Sequence, residues 1–127
     1  MSIVPSINLT SPVAVYVQIK NSVMFAIASG VLKPGDQLVP VKDLGDRIGV
    51  NFNTVTKSYR ELEIMDIIYA RRGMGCFVKP AAAKICQDIC RKEVVTRVHE
   101  VISEAVAAGF SKSEIRSIVT GVLAAKS

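Results

Sequence analysis

The sequence predicts a mainly α-helical fold with a small β-hairpin, and two observations favour it. Apolar residues recur at helical spacing through most of the 127-residue chain. The spacing changes to that of strands only after Asp66, where two short segments are separated by glycines. This order is that of a winged helix-turn-helix domain, which we assign to residues 1–79, followed by two C-terminal dimerisation helices over 80–127.

Composition and charge narrow the class of protein. Half of the residues are apolar, which is enough for a folded core. The net charge of +5 permits an anionic partner, but it is spread as +1 over 1–32, +2 over 33–79 and +2 over 80–127. The N-terminus lacks a charged leader and no apolar run has the length of a membrane span, so we expect a cytoplasmic protein that binds no membrane. Three cysteines without regular spacing fit a reducing compartment.

The first helix is predicted after a short extended segment. Residues 1–10 read as extended, with a possible edge strand. Ser11 and Pro12 are a typical N-cap and first helical residue. Apolar positions at helical spacing continue to Ile27, and Gly30 stands where a C-cap belongs.

Two more helices joined by a tight turn follow. Pro40 opens one that ends at Gly49, and Asn51 can cap the next, over 52–65. The exposed N-terminal half of this second helix carries amides, hydroxyls and a lysine but no carboxylate. Asn matches adenine edges, Thr a thymine methyl, and Lys guanine or phosphate. The pattern predicts a recognition helix, although an ordinary amphipathic surface helix would show a similar outer face.

The strand-like segments 67–71 and 76–79 predict a hairpin, and Arg72–Gly75 supplies its turn. Arginine beside glycine suits a minor groove or the flanking phosphates. A solvated turn would look the same by itself, but the position directly after the helix pair indicates a wing.

The predicted DNA contacts fall into three groups. Nearest the bases we place Asn51, Asn53 and Thr54. The residues that bind phosphate or extend the reading edge are Lys42, Thr56, Lys57 and Arg60. The wing contributes Arg71, Arg72 and Gly73.

The tail is predicted to form two helices. A wide apolar stripe covers 81–108, Gly109 interrupts it, and Ser111 with Glu114 forms a capping box for the last helix. Two such helices have more apolar face than they can cover themselves, so a two-fold dimer is the simplest solution, with intramolecular packing as the alternative. The predicted dimerisation residues are Ile85, Ile89, Val98, Ile102, Ile115, Ile118, Val119 and Val122.

Residues 12–79 resemble the DNA-binding domain of the GntR family of bacterial transcription regulators. The residues that carry the resemblance are Tyr16, Gln18, Ile19, Ile27, Gly30, Leu32, Pro34, Gly35, Leu38, Leu44, Gly49, Val50, Asn51, Asn53, Thr54, Val55, Lys57, Tyr59, Leu62, Gly73, Gly75, Phe77 and Val78. The short tail is similar to that of the YtrA-type subfamily. This resemblance implies a dimeric operator-binding regulator, often a repressor.

The chain departs from the family pattern at three positions. Lys42 stands where arginine is usual, which keeps a charge for phosphate but loses the planar bidentate fork. Phe52 stands where arginine or proline is frequent, so we expect it to meet a thymine methyl or to pack on sugar. Asp66 stands where glycine is common, and aspartate is among the few residues that tolerate a left-handed conformation.

Catalytic and metal sites are not predicted. One histidine, no paired carboxylates and no phosphate loop give no catalytic constellation. Cys86 and Cys90 share a helix face, and His99 lies roughly two and a half turns further on. Buried cysteines on an apolar face are commoner than zinc ligands or redox sensors. We therefore expect no cofactor and no metal.

The sequence as a whole predicts a transcription regulator that binds double-stranded DNA as a homodimer. Its operator would be an inverted repeat with half-sites about one helical turn apart. The alternative is a winged-helix adaptor that binds only protein. An unknown small-molecule effector would have to bind between the winged helix and the tail or at the dimer seam.

Overall fold

The computed structural model describes residues 5–126. Its elements are α1 Val15–Ala28, α2 Val41–Ile48, α3 Phe52–Ile64, β1 Ile68–Arg71, β2 Gly75–Val78, α4 Ala82–Ala107 and α5 Lys112–Lys126. The predicted fold, mainly helical with one hairpin after a helix pair, is confirmed.

The chain divides into two compact units, of which the first ends at Cys90 and the second begins at Arg91. The division falls inside α4 because the first turns of that helix bury Ala82, Cys86 and Cys90 in the core of the first unit. The assignment of functions to 1–79 and 80–127 stays a prediction.

The first unit has one hydrophobic core, and α3 packs against both α1 and α2. The largest fully buried side chains are Ile19, Ile27, Val39, Leu44, Val55, Ser58, Leu62, Ile67, Ile68, Val78 and Cys86. Burial of one Val, Leu or Ile contributes about 1.5–3 kcal/mol. The apolar faces of these short helices therefore stabilise the unit far more than helix propensity does.

The start of α1 differs from the prediction. The helix begins at Val15, and its N-cap position has no side-chain cap. The Ser11 hydroxyl accepts a hydrogen bond from the amide of Val13 at 3.1 Å, within a turn that precedes the helix. The predicted N-cap at Ser11 and helix start at Pro12 are therefore wrong.

A glutamine explains why the helix starts late. The Gln18 side chain accepts from the Asn8 amide at 2.8 Å and donates to the carbonyl oxygens of Asn8 and Val13 at 3.0 and 2.9 Å. These bonds fold the preceding segment back onto the first turn. Residues 5–10 form no strand, so the predicted edge strand around residues 7–9 is wrong, and residues 1–4 of the predicted extended segment lie outside the described residues.

Three local features build the turn between α2 and α3. Gly49 ends α2 in the left-handed conformation with φ 69°. The Asn51 side chain accepts from the Asn53 amide at 2.8 Å, which confirms the predicted N-cap of α3. A Cβ added at Gly45 would lie 2.8 Å from the carbonyl oxygen of Val50, so the two helices meet where α2 has no side chain.

The wing is an antiparallel hairpin in which Ile68 pairs with Val78 and Arg71 with Gly75. The segment before α2 extends it, because the Leu38 amide donates to the carbonyl oxygen of Cys76 at 2.9 Å. Ahead of the hairpin, Asp66 has φ 62°, the left-handed conformation that the sequence anticipated.

The second unit contains the C-terminal part of α4 and all of the described α5. Gly109, with φ 92°, lies in the turn that separates the two helices. The capping box is confirmed in both directions: Glu114 accepts from the Ser111 amide at 3.0 Å, and Ser111 accepts from the Glu114 amide at 3.1 Å.

Candidate nucleic-acid interface

The predicted recognition helix, α3, has one buried face and one exposed polar face. Its buried residues are Val55, Ser58, Tyr59 and Leu62. Asn53, Lys57 and Arg60 are exposed at spacings of four and three residues, so they lie along one side of the helix. The outer face predicted from the sequence is therefore present and open to solvent.

The structure leaves most of the predicted DNA contacts accessible. The exposed ones are Lys42, Asn51, Phe52, Asn53, Lys57, Arg60, Arg71, Arg72 and Gly73. Thr54 and Thr56 are half-buried. The Thr56 hydroxyl donates to the carbonyl oxygen of Phe52 at 3.0 Å, so it can offer DNA an acceptor more readily than a donor.

Two hydroxyl groups fix α3 against its neighbours. Ser58 is fully buried, and its hydroxyl donates to the carbonyl oxygen of Tyr16 in α1 at 2.7 Å. The Tyr59 hydroxyl donates to the carbonyl oxygen of Val39 at 2.6 Å. Burial raises the pKa of Tyr59 well above its ordinary value, so the phenol stays protonated and keeps this bond in alkaline solution as well as at neutral pH.

Charged side chains also join α1 to α3. The Lys57 ammonium lies 3.9 Å from the centroid of the Tyr16 ring. One helical turn further on, the Lys20 ammonium lies 3.9 Å from a Glu61 carboxylate oxygen. The same two helices thus carry both a cation–π contact and an ion pair.

The tip of the wing is held in a defined conformation by backbone contacts on both sides of Met74. The Met74 amide donates to the carbonyl oxygen of Arg71 at 2.8 Å. Its carbonyl oxygen accepts from the Gln37 side chain at 2.8 Å. Gly73 has φ 75°, which a glycine adopts without strain. The Met74 side chain itself is 53% exposed.

The two wing arginines differ in their surroundings. The Arg71 guanidinium carbon lies 5.6 Å from the Phe77 ring centroid, and Phe77 in turn stacks on Tyr69 at 5.8 Å between centroids. Arg72 is exposed in the turn. Arg71 is therefore partly held by the strand, whereas Arg72 extends from the tip.

Sequence reasoning gave no role to two residues that shape this surface. Tyr16 appeared only as a match to the family, and its contact with Lys57 depends on how α1 packs on α3. Gln37 donates a hydrogen bond to Met74, 37 positions further along the chain, and no local sequence pattern predicts such a contact.

The cysteines and the histidine form no metal site among residues 5–126. Cys86 and Cys90 are buried in the first unit, and burial raises the pKa of Cys86 to about 11. A protonated, buried thiol is a poor metal ligand and a poor nucleophile. In the same part of the chain, no helix is long and apolar enough to cross a membrane.

The predicted dimerisation residues lie in two environments. Ile85 and Ile89 are half-buried and pack against the core of the first unit. The others belong to the second unit, where Val98 is 50% exposed and Val122 is 53% exposed. A groove of about 400 Å³ runs between the C-terminal part of α4 and α5, lined by Val101, Ile102, Ala105, Phe110, Ile115 and Ile118 among others.

The chain is similar to known proteins in both sequence and structure. The family model described as "Bacterial regulatory proteins, gntR family" matches residues 15–78. The HTH-type transcriptional repressor YtrA of Bacillus subtilis is 29% identical over 118 residues, which cover 93% of this chain and 91% of that protein.

Two solved structures are similar over most of the chain. A GntR family transcriptional regulator from Listeria monocytogenes has a TM-score of 0.69 at 28% identity and covers 91% of this chain and 98% of its own. YtrA from Sulfolobus acidocaldarius, a GntR-family transcription factor, has a TM-score of 0.58 at 28% identity, with 80% and 99% covered.

Proposed function

Because the chain belongs to the GntR family, and within it to the YtrA-type subfamily, we propose that it is a repressor that binds an inverted-repeat operator as a homodimer. At the level of the family, it is a DNA-binding transcription regulator and not an enzyme. The observation that carries the proposed operator binding is the exposed polar face of α3, opposite a fully packed core face.

The α3 helix enters the major groove with its N-terminal end. The Asn53 carboxamide is exposed and makes no hydrogen bond within residues 5–126, so it can pair with an adenine edge. The Asn51 oxygen is already used by the cap, and its amide nitrogen remains as a donor. Arg60 and Lys42 are exposed and bind the flanking phosphates.

The wing supplies the second contact. Arg72, at the tip, reaches the minor groove or the adjacent phosphates, and Gly73 leaves room for the backbone to approach. Gln37 holds the turn through the Met74 carbonyl oxygen, so the tip approaches DNA with little conformational freedom left to lose.

The test of base recognition compares Asn53→Ala with Lys57→Ala. Asn53→Ala should cost about 1–3 kcal/mol on the operator and relax the preference at one base pair. Lys57→Ala should weaken binding to all sequences alike and flatten the salt dependence by about one unit per lost contact. Equal losses on operator and random DNA for Asn53→Ala would remove that residue from base recognition.

The dimer is supported by the apolar surface of the tail. None of the described residues of α5 is buried, and apolar side chains such as Val119, Val122 and Leu123 remain exposed to solvent. We assign the interface to Val98, Ile102, Ile115, Ile118, Val119 and Val122; Ile85 and Ile89 offer it only their remaining exposed part. A self-complementary patch of this kind serves both subunits of a two-fold dimer.

Sedimentation analysis of two matched variants tests the dimer. Val122→Glu should shift the protein toward the monomer, because it places a charge in the apolar patch. Val31→Glu, at an exposed valine of the first unit, should leave the oligomeric state unchanged. A Val122→Glu variant that remains dimeric would place the interface elsewhere.

Operator binding separates the regulator from an adaptor that binds only protein. Footprinting on DNA upstream of the protein's own gene should protect two half-sites about one helical turn apart. Reporter expression in a strain that lacks the protein gives the sign of regulation. Increased expression is the result expected of a repressor. No gel shift on any duplex at low salt would favour the adaptor.

A small-molecule effector would reveal itself in a metabolite screen as a change in melting temperature or operator affinity.

A further inference from the structure

The contact between Lys57 and Tyr16 links the exposed polar face of α3 to α1, a helix that carries no predicted DNA contact. The ammonium lies 3.9 Å from the ring centroid, well within the range of cation–π attraction. Lys57 is exposed and Tyr16 is half-buried, so the ammonium contacts the ring on one side and solvent on the other. An ammonium has three N–H donors, and a ring face on one side leaves the others available.

The Tyr16 residue is itself held by α3. The Ser58 hydroxyl, fully buried, donates to the Tyr16 carbonyl oxygen at 2.7 Å. Consecutive residues of α3 thus contact the same tyrosine, one at its backbone and one at its ring. The Tyr16 backbone is therefore held against α3 beside Lys57, and its ring lies against the lysine ammonium.

We propose that Tyr16 is a positioning residue, whose ring holds the Lys57 ammonium in place to bind one DNA phosphate in each subunit. The inference rests on the proposed DNA-binding function and adds to it a residue that acts through the lysine. Confining a long side chain in advance lowers the entropy lost on binding, and each side chain of this kind otherwise costs about two- to tenfold in affinity.

The experiment measures binding to a random-sequence duplex by fluorescence anisotropy over a range of salt concentrations. The variants of the full chain are Tyr16→Phe, Tyr16→Leu, Lys57→Ala and the double variant Tyr16→Leu with Lys57→Ala. Random DNA suffices because phosphate contacts do not depend on sequence.

A distinct pattern is expected from these variants. Lys57→Ala lowers the slope of log affinity against log salt by about 0.9 per subunit. Tyr16→Phe keeps the ring and stays within about twofold of the wild type. Tyr16→Leu keeps the slope but weakens binding by about two- to tenfold, and this loss disappears in the Lys57→Ala background.

Nuclear magnetic resonance gives a readout that a purely structural role of Tyr16 would not produce. The Lys57 methylene protons next to the ammonium should be shifted upfield by the ring in the wild type and in Tyr16→Phe, and not in Tyr16→Leu. Absence of this shift in the wild type would overturn the inference. An equal affinity loss for Tyr16→Leu with and without Lys57 would overturn it as well, since the tyrosine would then act on the fold or on DNA directly.

Lys20→Ala is the matched control. It removes the same charge from the same pair of helices, one turn away, where the lysine faces Glu61. Its salt slope should stay that of the wild type, and a fall equal to that of Lys57→Ala would show a general effect of charge and overturn the inference. A wild type that fails to bind any duplex at low salt would instead refute the proposed function, and so the two failures are distinguishable.

Discussion

Substitution of Gly45 by alanine tests how closely the two helices of the helix-turn-helix approach each other. The added Cβ would lie 2.8 Å from the Val50 carbonyl oxygen and 3.4 Å from the Phe52 Cα. Both neighbours are backbone atoms, so neither can rotate out of the way as the end of a long side chain could. The Val50 amide also donates to the Gly45 carbonyl oxygen at 2.9 Å, and separating the two segments would weaken that bond.

Three terms determine the change in the free energy of unfolding, one stabilising and two destabilising. Alanine is preferred over glycine inside a helix by about 0.5–1 kcal/mol. Overpacking a tight site costs about 1–3 kcal/mol. Loss of the bond between Val50 and Gly45 costs about 0.5–1.5 kcal/mol more. The net expectation for Gly45→Ala is a destabilisation of about 0.5–4 kcal/mol, opposite in sign to the helix preference.

Urea unfolding followed by circular dichroism measures this change, and Gly121→Ala provides a matched control. Gly121 is helical and exposed, and an added Cβ there would have no neighbour within 4 Å. The control should therefore gain about 0.5–1 kcal/mol from helix preference alone. Gly45→Ala should also weaken DNA binding, because a shift at Phe52 moves the start of α3. If Gly45→Ala were as stable as the control, the close approach of α2 to the turn would be refuted.

Three further predictions concern groups fixed by hydrogen bonds or by burial. Tyr59→Phe should destabilise the fold by about 1–3 kcal/mol, because the Val39 carbonyl oxygen loses its buried donor; an unchanged urea midpoint would contradict this. Ser111→Ala should lower the melting temperature of the tail. The hydrogen bonds from Ser111 lower the pKa of Glu114, so the contribution of this carboxylate is present above its unfolded pKa and is lost as the pH falls through the lowered folded value; a flat acid profile would contradict it. The Cys86 thiol should resist alkylation at pH 8 in the folded protein and react only after unfolding, since burial raises its pKa to about 11; rapid modification of the native protein would show that it is accessible.

Local signals predicted the helix-turn-helix and the wing because each has its own chemistry in a few consecutive residues. Gly49 and Asn51 end one helix and cap the next, and the glycines of the hairpin turn adopt the positive φ that the turn requires. The same local reasoning failed at Ser11. A side chain further along the chain, Gln18, satisfies the backbone of the preceding segment and delays the start of α1.

The parts of the candidate interface that the sequence did not predict depend on distant contacts. The bond from Gln37 to the Met74 carbonyl oxygen requires the strand-like segment before α2 to pair with β2. The position of the Lys57 ammonium requires α1 to pack across α3. Both are consequences of tertiary packing, which hydrophobic spacing specifies only in outline.

The left-handed backbone at Asp66 limits which substitutions the junction between α3 and the wing can accept. It is the only non-glycine residue with a positive φ among residues 5–126. Glycine and asparagine adopt this conformation readily, and the surface ion pair with Lys79, at 2.8 Å, is worth at most about 1 kcal/mol. Valine, isoleucine or threonine would be strained by about 1–3 kcal/mol. In a saturation library selected for DNA binding, this codon should therefore vary mainly among Asp, Asn and Gly, although its side chain is exposed to water.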